Sequence, residues 1–315
     1  MTLPRAVEPE PQTRKDGTPP AKKCGVSFPA VPSHFAHEKI LVTHQSAGTM
    51  EVEIEVDDTP VEPWSMDSPV ASPPSEPVNR PLTVFDRTLI VLDYDDTLFP
   101  TTQFCDDGYS TQLMCSGAPL TAQCQQQVFD VENEALRLLN LAQQNGSVVL
   151  LTNAEPRWLE LSSHHYMARL EQALQSGVRV VYGREWQSHH PTQPGMWKQM
   201  AFESELARLR NSIGQEAEIR LVSIGDSTFE RNAAEKAGKE DGNVEVKTIK
   251  LVNLPNPSML KQQLKLLGVA LVDILNREGP LAIDMELRYN KKTPAPAQQH
   301  YGGSMVGVAP PMVCD

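Results

Sequence analysis

Three carboxylates fall within four positions directly after an apolar run of this chain. The run, residues 88–92, is Thr-Leu-Ile-Val-Leu, a pattern typical of a strand that is buried on both faces. Asp93, Asp95 and Asp96 follow it, and Thr97 closes the group. Because a buried strand cannot hold so much charge along its length, the acids are expected just past its carboxyl end. Ligands of open parallel α/β sheets bind at that edge, so the stretch predicts a cation and phosphate site.

Asp93 and Asp95 are two residues apart, which puts both side chains on one face of an extended backbone. Two carboxylates this close repel each other unless a cation lies between them. Mg²⁺ prefers oxygen ligands and also bridges to substrate phosphate, so it is the predicted metal. Asp93 would then be a nucleophile that forms an aspartyl-phosphate, and Asp95 would protonate the leaving oxygen and afterwards activate water. The alternatives are a group of acids that only binds a cation, or a solvated loop.

Two further predicted strands end in residues of the same chemical kind. Thr152 and Asn153 follow the second predicted strand, and Asp226 follows the fourth. If these strands are neighbours of the first, the three ends converge at the carboxyl edge of the sheet. One polar residue at a strand end means little, because loops begin there, but three such ends form a stronger pattern. Thr152 and Asn153 are predicted to bind substrate, and Asp226 is predicted to complete the Mg²⁺ shell.

Lys198 lies in the first turn of a predicted helix, on the same apolar stripe as Phe202 and Leu206. A cation there opposes the helix dipole, so an inward lysine is explained if it meets an anion, either phosphate or Asp93. The alternative is that its stem packs inward while the ammonium reaches solvent. Glu230 also has two interpretations. It holds a metal-bound water or orients Lys198, or it is an ordinary acid of a first helical turn.

Strand and helix patterns alternate five times from residue 88 onward, which predicts a parallel sheet with helices on both faces and right-handed crossovers. The stretch from Phe99 to Gln123 is predicted to be a loop, because it carries prolines and glycines without apolar periodicity. The predicted strands are 88–93, 147–151, 178–182, 218–224 and 244–252, and the predicted helices are 125–145, 156–176, 195–211, 228–237 and a last one from 257.

The flanks differ from this central part in composition. Residues 1–84 are rich in Pro, Glu, Ser and Thr, and the tail 279–315 carries Pro, Gly and Gln. Both are therefore predicted to be disordered, on either side of a catalytic domain at 85–278. The N-terminal region is interrupted by an apolar run at 39–42 and by an alternating segment at 50–56, and the second of these could form an edge strand or a docking segment.

Composition narrows the classes of function for the 315 residues. The formal charge of −12 argues against a broad nucleic-acid surface. The five cysteines form no C-x-x-C pair and are expected to be free thiols. No apolar leader follows Met1, and no run approaches about 18 apolar residues. We therefore expect a soluble, intracellular protein, cytoplasmic or nuclear, without a membrane or nucleic-acid partner.

Taken together, these pieces resemble the motifs of the haloacid dehalogenase (HAD) superfamily of phosphohydrolases: Asp93-x-Asp95-x-Thr97, Thr152, Lys198 and Gly225-Asp226-x-x-x-Glu230. The resemblance implies a Rossmann-like three-layer fold with five parallel strands in the order 5-4-1-2-3. It also implies a Mg²⁺-dependent aspartyl-phosphate mechanism, with Asp93, the main-chain carbonyl of Asp95 and Asp226 on the metal.

The same resemblance implies that Thr152 and Lys198 hold the phosphoryl oxygens, with Thr97 and Glu230 in supporting roles. Glu230 departs from the pattern, because the family often has Asp or two adjacent acids at that place.

The gaps in which this superfamily inserts cap domains are short here. The gap from Leu98 to Gln123 is too short for a folded cap, and the gap from Gly183 to Pro194 is shorter still. The resemblance then implies a macromolecular substrate, such as a phosphoprotein, that covers the open site itself. A small phosphoester fits instead if the first gap folds over as a lid. A second hypothesis is an interaction protein that retains the site and acts through its long flanks.

Overall fold

The computed structural model describes residues 81–288 together with a separate strand, Lys39–His44, of which only the backbone is described. This part of the chain has an α/β fold, and none of its helices is long and apolar enough to cross a membrane. The strands are β1 Lys39–His44, β2 Thr88–Leu92, β3 Ser147–Thr152, β4 Arg179–Tyr182, β5 Ile219–Gly225, β6 Val244–Lys250 and β7 Leu281–Arg288. The helices are α1 Thr101–Asp106, α2 Thr111–Cys115, α3 Ala122–Asn145, α4 Pro156–Tyr166, α5 Ala168–Gln175, α6 Pro194–Ile213, α7 Thr228–Asp241 and α8 Pro257–Asn276.

The described strands form one sheet in the order β1-β7-β6-β5-β2-β3-β4. Every neighbouring pair from β2 to β7 is parallel, whereas β1 runs antiparallel to β7. The prediction of an α/β fold with a parallel, Rossmann-like sheet is confirmed. The predicted count of five strands is wrong, because β7 adds a sixth parallel strand beside β6. Numbered from β2, the full order is therefore 3-2-1-4-5-6, and the five predicted strands lie within it in the order 5-4-1-2-3 when read from the other edge.

The sixth parallel strand, β7, falls inside the tail that the sequence predicted to be disordered from 279 onward. Leu281, Ile283 and Met285 alternate along it and are buried. A strand buried on one face shows only this weak period of two, which the Pro and Gly content of the neighbouring sequence concealed. The domain boundary predicted at 278 is therefore corrected to include β7.

β1 falls inside the other predicted disordered region. It pairs with β7 from Lys39 opposite Arg288 to His44 opposite Ile283. The edge strand is therefore formed by the apolar run at 39–42 together with the two residues that follow it. The alternating segment 50–56, which the sequence favoured for this role, lies outside the described residues.

Two apolar layers pack against the sheet. Side chains of α3, α4, α5 and α8 fill one layer, and side chains of α6 and α7 fill the other. β2 is buried along its whole length, as its apolar run predicted. The predicted helix 156–176 is broken at Met167, whose φ of −137° separates α4 from α5. The predicted loop after Phe99 also needs correction, because it contains α1 and α2, which bury Phe104 and Met114.

Arg231 of α7 ties β7 to the rest of the fold. Its guanidinium donates to both carboxylate oxygens of Asp284, at 2.8 and 3.0 Å, and to the carbonyl of Ile283 at 2.6 Å.

We expect Arg231→Met to lower the free energy of unfolding by about 3 kcal/mol, because the partly buried carboxylate of Asp284 loses the ionic contact with the guanidinium. Urea unfolding measures this change. The chain 37–278 should be less stable than the chain 37–288, and equal stability of the two would show that β7 lies outside the cooperative fold.

Candidate active site

A cleft of about 420 Å³ opens at the carboxyl ends of β2, β3 and β5. Because β2 lies between β3 and β5, the residues that follow these strands meet at one edge of the sheet. The first turns of α6 and α7 add further side chains to the same cleft. Of the residues predicted from the sequence, those that line it are Asp93, Asp95, Thr152, Asn153, Lys198, Asp226 and Glu230. Thr97 is not among them. It is fully buried, and its hydroxyl has no hydrogen-bond partner within the described part of the chain.

The turn after β2 aims the acids at this cleft. The N–H of Asp93 donates to a carbonyl of β5 at 3.0 Å, which extends the strand pairing by one residue. Tyr94 is fully buried and stacks on Phe99 with 5.7 Å between the ring centroids. Because Tyr94 takes the core side, its neighbours Asp93 and Asp95 face the cleft. Asp96 then reverses the chain with a φ of 52°, a left-handed conformation that Asp tolerates better than most residues.

Lys198 is buried, with only 4% of its surface exposed. Its ammonium lies 2.9 Å from Oδ1 of Asp93 and also donates to Oε1 of Glu230. Burial by itself would lower the pKa of Lys198, but the charges of Asp93 and Glu230 outweigh it and raise the pKa. Lys198 is therefore a fixed cation on the floor of the cleft. The alternative in which its ammonium reaches solvent is wrong.

Glu230 combines two of the interpretations that the sequence left open. Its Oε1 accepts from Lys198, while its Oε2 accepts the N–H of Ser227 at 3.1 Å in a capping box that begins α7. Burial raises the pKa of Glu230, but the bonds from Lys198 and Ser227 outweigh it, so the net shift is downward. Gly225 permits this approach, because a Cβ there would lie 2.6 Å from Cγ of Glu230. A role in holding a metal-bound water stays a prediction.

Asp95 and Asp96 have partners that the sequence did not reveal. The hydroxyl of Thr101 and the indole N–H of Trp158 both donate to Oδ1 of Asp95, at 2.5 and 2.8 Å. The main-chain N–H of Thr102 donates to Oδ1 of Asp96 at 2.9 Å, at the start of α1. Burial raises the pKa of Asp96. Both threonines lie in the stretch predicted to be a loop, and nothing in the sequence linked Trp158 to an acid 63 residues earlier.

Thr152 and Asn153 close the third side of the cleft. Thr152 is 1% exposed, and its hydroxyl oxygen accepts the N–H of Ala154 at 2.9 Å. The amide of Asn153 donates to the carbonyl of Pro194 at 3.3 Å, which joins the end of β3 to the first residue of α6. Asn153 therefore already has a structural contact. Its predicted contact with substrate, and that of Thr152, stay predictions.

Negative charge exceeds positive charge in the cleft, which is lined by six carboxylates and three cationic side chains. Burial raises the pKa of Asp226 to about 7, and the nearby charges of Glu230 and Asp96 add to the rise. Burial likewise raises the pKa of Asp93 well above its usual range, against the opposing charge of Lys198. The ammonium of Lys198 and the two guanidinium groups therefore do not balance the carboxylates, and a bound cation would reduce the excess of negative charge.

The donor chemistry of the cleft fits a hard cation, because carboxylate and carbonyl oxygens are the ligands that Mg²⁺ prefers. Within residues 81–288 no three His, Cys, Asp or Glu side chains are grouped so that together they could hold a metal ion. The set implied by the HAD resemblance uses two carboxylates, Asp93 and Asp226, with the main-chain carbonyl of Asp95. It therefore does not depend on a third acidic side chain.

No family model matches the chain, and no curated protein sequence matches it. Function is therefore inferred from the residues of the cleft.

Asp226 should make the metal-free protein less stable as the pH rises. Folding raises the pKa of this carboxyl from 3.8 to about 7, so its stabilising effect is complete below the lower value and is lost as the pH rises through the upper one. In EDTA, we expect the Tm of the wild type to fall relative to the Tm of Asp226→Asn as the pH rises from about 5 to about 8. Mg²⁺ should raise the wild-type Tm and leave that of the variant nearly unchanged. Parallel Tm curves would contradict the assignment.

Proposed function

We propose that this protein is a Mg²⁺-dependent phosphatase that hydrolyses phosphomonoesters through an aspartyl-phosphate on Asp93. The observation that carries the proposal is the contact of 2.9 Å between the buried Asp93 carboxylate and the Lys198 ammonium, in a cleft shared with Asp95, Thr152 and Asp226. A nucleophile, a fixed cation, a proton carrier and a hydroxyl that face one cavity are the parts that phosphoryl transfer requires.

Lys198 has the main electrostatic role in this mechanism. Phosphoryl transfer passes through a loose transition state, in which the negative charge on the transferred oxygens must be neutralised. A buried ammonium already in position does this without reorganisation. The hydroxyl of Thr152 would bind a second phosphoryl oxygen. Asp93 would attack the phosphorus with one carboxylate oxygen, while Lys198 keeps that carboxylate oriented.

Asp95 would carry the proton in both halves of the reaction. It is partly exposed at the cleft, whereas Asp93 is buried, so the two carboxylates lie in different environments. In the first half Asp95 would protonate the departing oxygen, and in the second half it would take a proton from the attacking water.

Mg²⁺ would be held by Asp93, Asp226 and the main-chain carbonyl of Asp95. When bound, the ion would supply the positive charge that the excess of carboxylates requires and would polarise a phosphoryl oxygen. Glu230 contributes by fixing Lys198, since one of its oxygens accepts from the ammonium.

A phosphoprotein is the substrate class that we propose. Between β2 and α3 the described chain contains only α1 and α2, and between β4 and α6 it contains one short 3-10 helix, Gly183–Trp186. Thr111 and Cys115 of α2 line the cleft, so this segment forms part of its wall. At the same cleft Phe229 is 60% exposed and Arg157 is exposed. An exposed ring and an exposed cation would suit contacts with a peptide chain around a phosphorylated residue.

Asp93→Asn should abolish hydrolysis of an aryl phosphate while the fold survives. We expect kcat to fall by a factor on the order of 10³ or more, because an amide cannot act as the nucleophile. Steady-state kinetics of the full chain with Mg²⁺ measure this loss, and circular dichroism checks the fold. Asp107→Asn, which changes an exposed carboxylate outside the cleft, is the matched control and should retain activity. Wild-type turnover by Asp93→Asn would overturn the covalent mechanism, and an inactive wild type would favour the interaction-protein hypothesis.

Phosphopeptides should be better substrates than small phosphoesters, by a factor of about ten or more in kcat/KM, if the peptide around the phosphate contacts the open cleft. A panel of phosphoserine, phosphothreonine and phosphotyrosine peptides, assayed beside sugar and nucleotide monophosphates, tests this order. Phe229→Ala should lower kcat/KM for the peptides and have little effect on the small esters. The reverse preference would show that α1 and α2 enclose a small substrate instead.

A further inference from the structure

The carboxylate of Asp95 is held at one of its two oxygens. The indole N–H of Trp158 and the hydroxyl of Thr101 both donate to Oδ1, at 2.8 and 2.5 Å. Oδ2 receives no hydrogen bond from any residue in the described part of the chain. The two donors come from different helices, α4 and α1, so the carboxylate is fixed from two directions.

Trp158 is itself held in position. Its ring meets that of Phe99 edge-on, at 6.0 Å and 85°, and Phe99 stacks on Tyr94 at 5.7 Å and 10°. Ser162 bonds to the hydroxyl of Tyr94 at 2.8 Å and donates to the carbonyl of Trp158 at 2.6 Å. The aromatic cluster therefore joins the turn after β2 to the first turns of α4. An indole so packed presents its N–H without losing rotamer freedom at the moment of reaction.

Both donors are neutral groups. An indole N–H and a hydroxyl hold the carboxylate in place by weaker bonds. Their concentration on Oδ1 leaves Oδ2 as the oxygen that can carry the proton.

We propose that Trp158 is a positioning residue for proton transfer by Asp95, acting with Thr101, an inference that rests on the phosphatase function proposed above. In the first half of the reaction, Asp93 attacks phosphorus, the bond from phosphorus to the substrate oxygen breaks, and the proton on Oδ2 of Asp95 passes to that oxygen. In the second half, water attacks the aspartyl-phosphate and gives a proton to Oδ2. The bond from phosphorus to Asp93 then breaks, and inorganic phosphate leaves.

Trp158→Phe tests the proposal, because it removes the N–H and keeps an aromatic ring against Phe99. p-Nitrophenolate can leave without a proton, whereas phenolate needs one. We therefore expect kcat/KM for phenyl phosphate to fall by a factor of about ten or more, and kcat/KM for p-nitrophenyl phosphate to fall by no more than about two. Breakdown of the aspartyl-phosphate should slow as well, so stopped-flow measurements should show a burst of about one p-nitrophenolate per chain.

A second pair of variants separates positioning from packing. Thr101→Val removes the other donor at nearly the same volume and should lower the two kcat/KM values in the same unequal way. Thr101→Ser retains the hydroxyl and should recover most of the unequal loss that Thr101→Val causes. Trp186→Phe, a tryptophan that does not line the cleft, is the matched control and should leave the ratio of the two substrates unchanged.

The results distinguish a failure of the positioning role of Trp158 from a failure of the proposed phosphatase function. If the wild type hydrolyses both esters and Trp158→Phe slows them equally and without a burst, Trp158 only packs and the positioning role is overturned. If the wild type hydrolyses neither ester nor any phosphopeptide, the proposed function itself fails.

Discussion

The cleft depends on one buried ammonium. Lys198 lies between the carboxylates of Asp93 and Glu230, and all three side chains are almost removed from solvent. Burying an unpaired charge is so costly that breaking a buried ion pair typically destabilises a protein by about 3–5 kcal/mol. The start of α6, the start of α7 and the end of β2 therefore cannot move apart without leaving a charge unpaired. The carboxylate of Asp93 is positioned by the same contact that stabilises the junction of these elements.

Several local features serve this junction. Asn153 joins the end of β3 to Pro194, the first residue of α6, and the guanidinium of Arg184 donates to the carbonyl of Asn153 at 2.8 Å. Gly183 leaves room for the Asn153 side chain, because a Cβ there would lie 2.1 Å from its side-chain oxygen and would displace it. Gly225 makes room for Glu230 in the same way. These contacts set the first turn of each helix, and so they determine where Lys198 and Glu230 meet.

Electrostatic repulsion among the carboxylates of the cleft is not fully relieved by the cationic side chains around them. Burial and neighbouring carboxylates raise the pKa of Asp93 and Asp226, so the metal-free site stores electrostatic repulsion. Such unfavourable arrangements are more often found where a ligand relieves them than in the core of a purely structural domain. A cation bound together with a phosphate group would balance the charge, which links the stability of the site to its proposed chemistry.

The sequence by itself determined most of the residue types that line the cleft and the class of the fold. The buried run 88–92, the acids after it and the polar ends of two further strands predicted one cleft at the carboxyl edge of a parallel sheet, and the residues that follow these strands do line it. Regular alternation of buried strands and amphipathic helices also predicted most elements within a few residues, because hydrophobic periodicity is a local property of the chain.

Only the tertiary structure decided which residues from distant parts of the sequence contact the acids. Trp158 lies 63 positions after Asp95, and no local pattern distinguishes an indole that donates to a carboxylate from one that merely packs. β7 was missed for a related reason, since a strand buried on one face has weak periodicity and is specified by the partners it meets, here β1 and β6. Residue types and spacing set what chemistry is possible, whereas long-range packing sets the orientation in which it can occur.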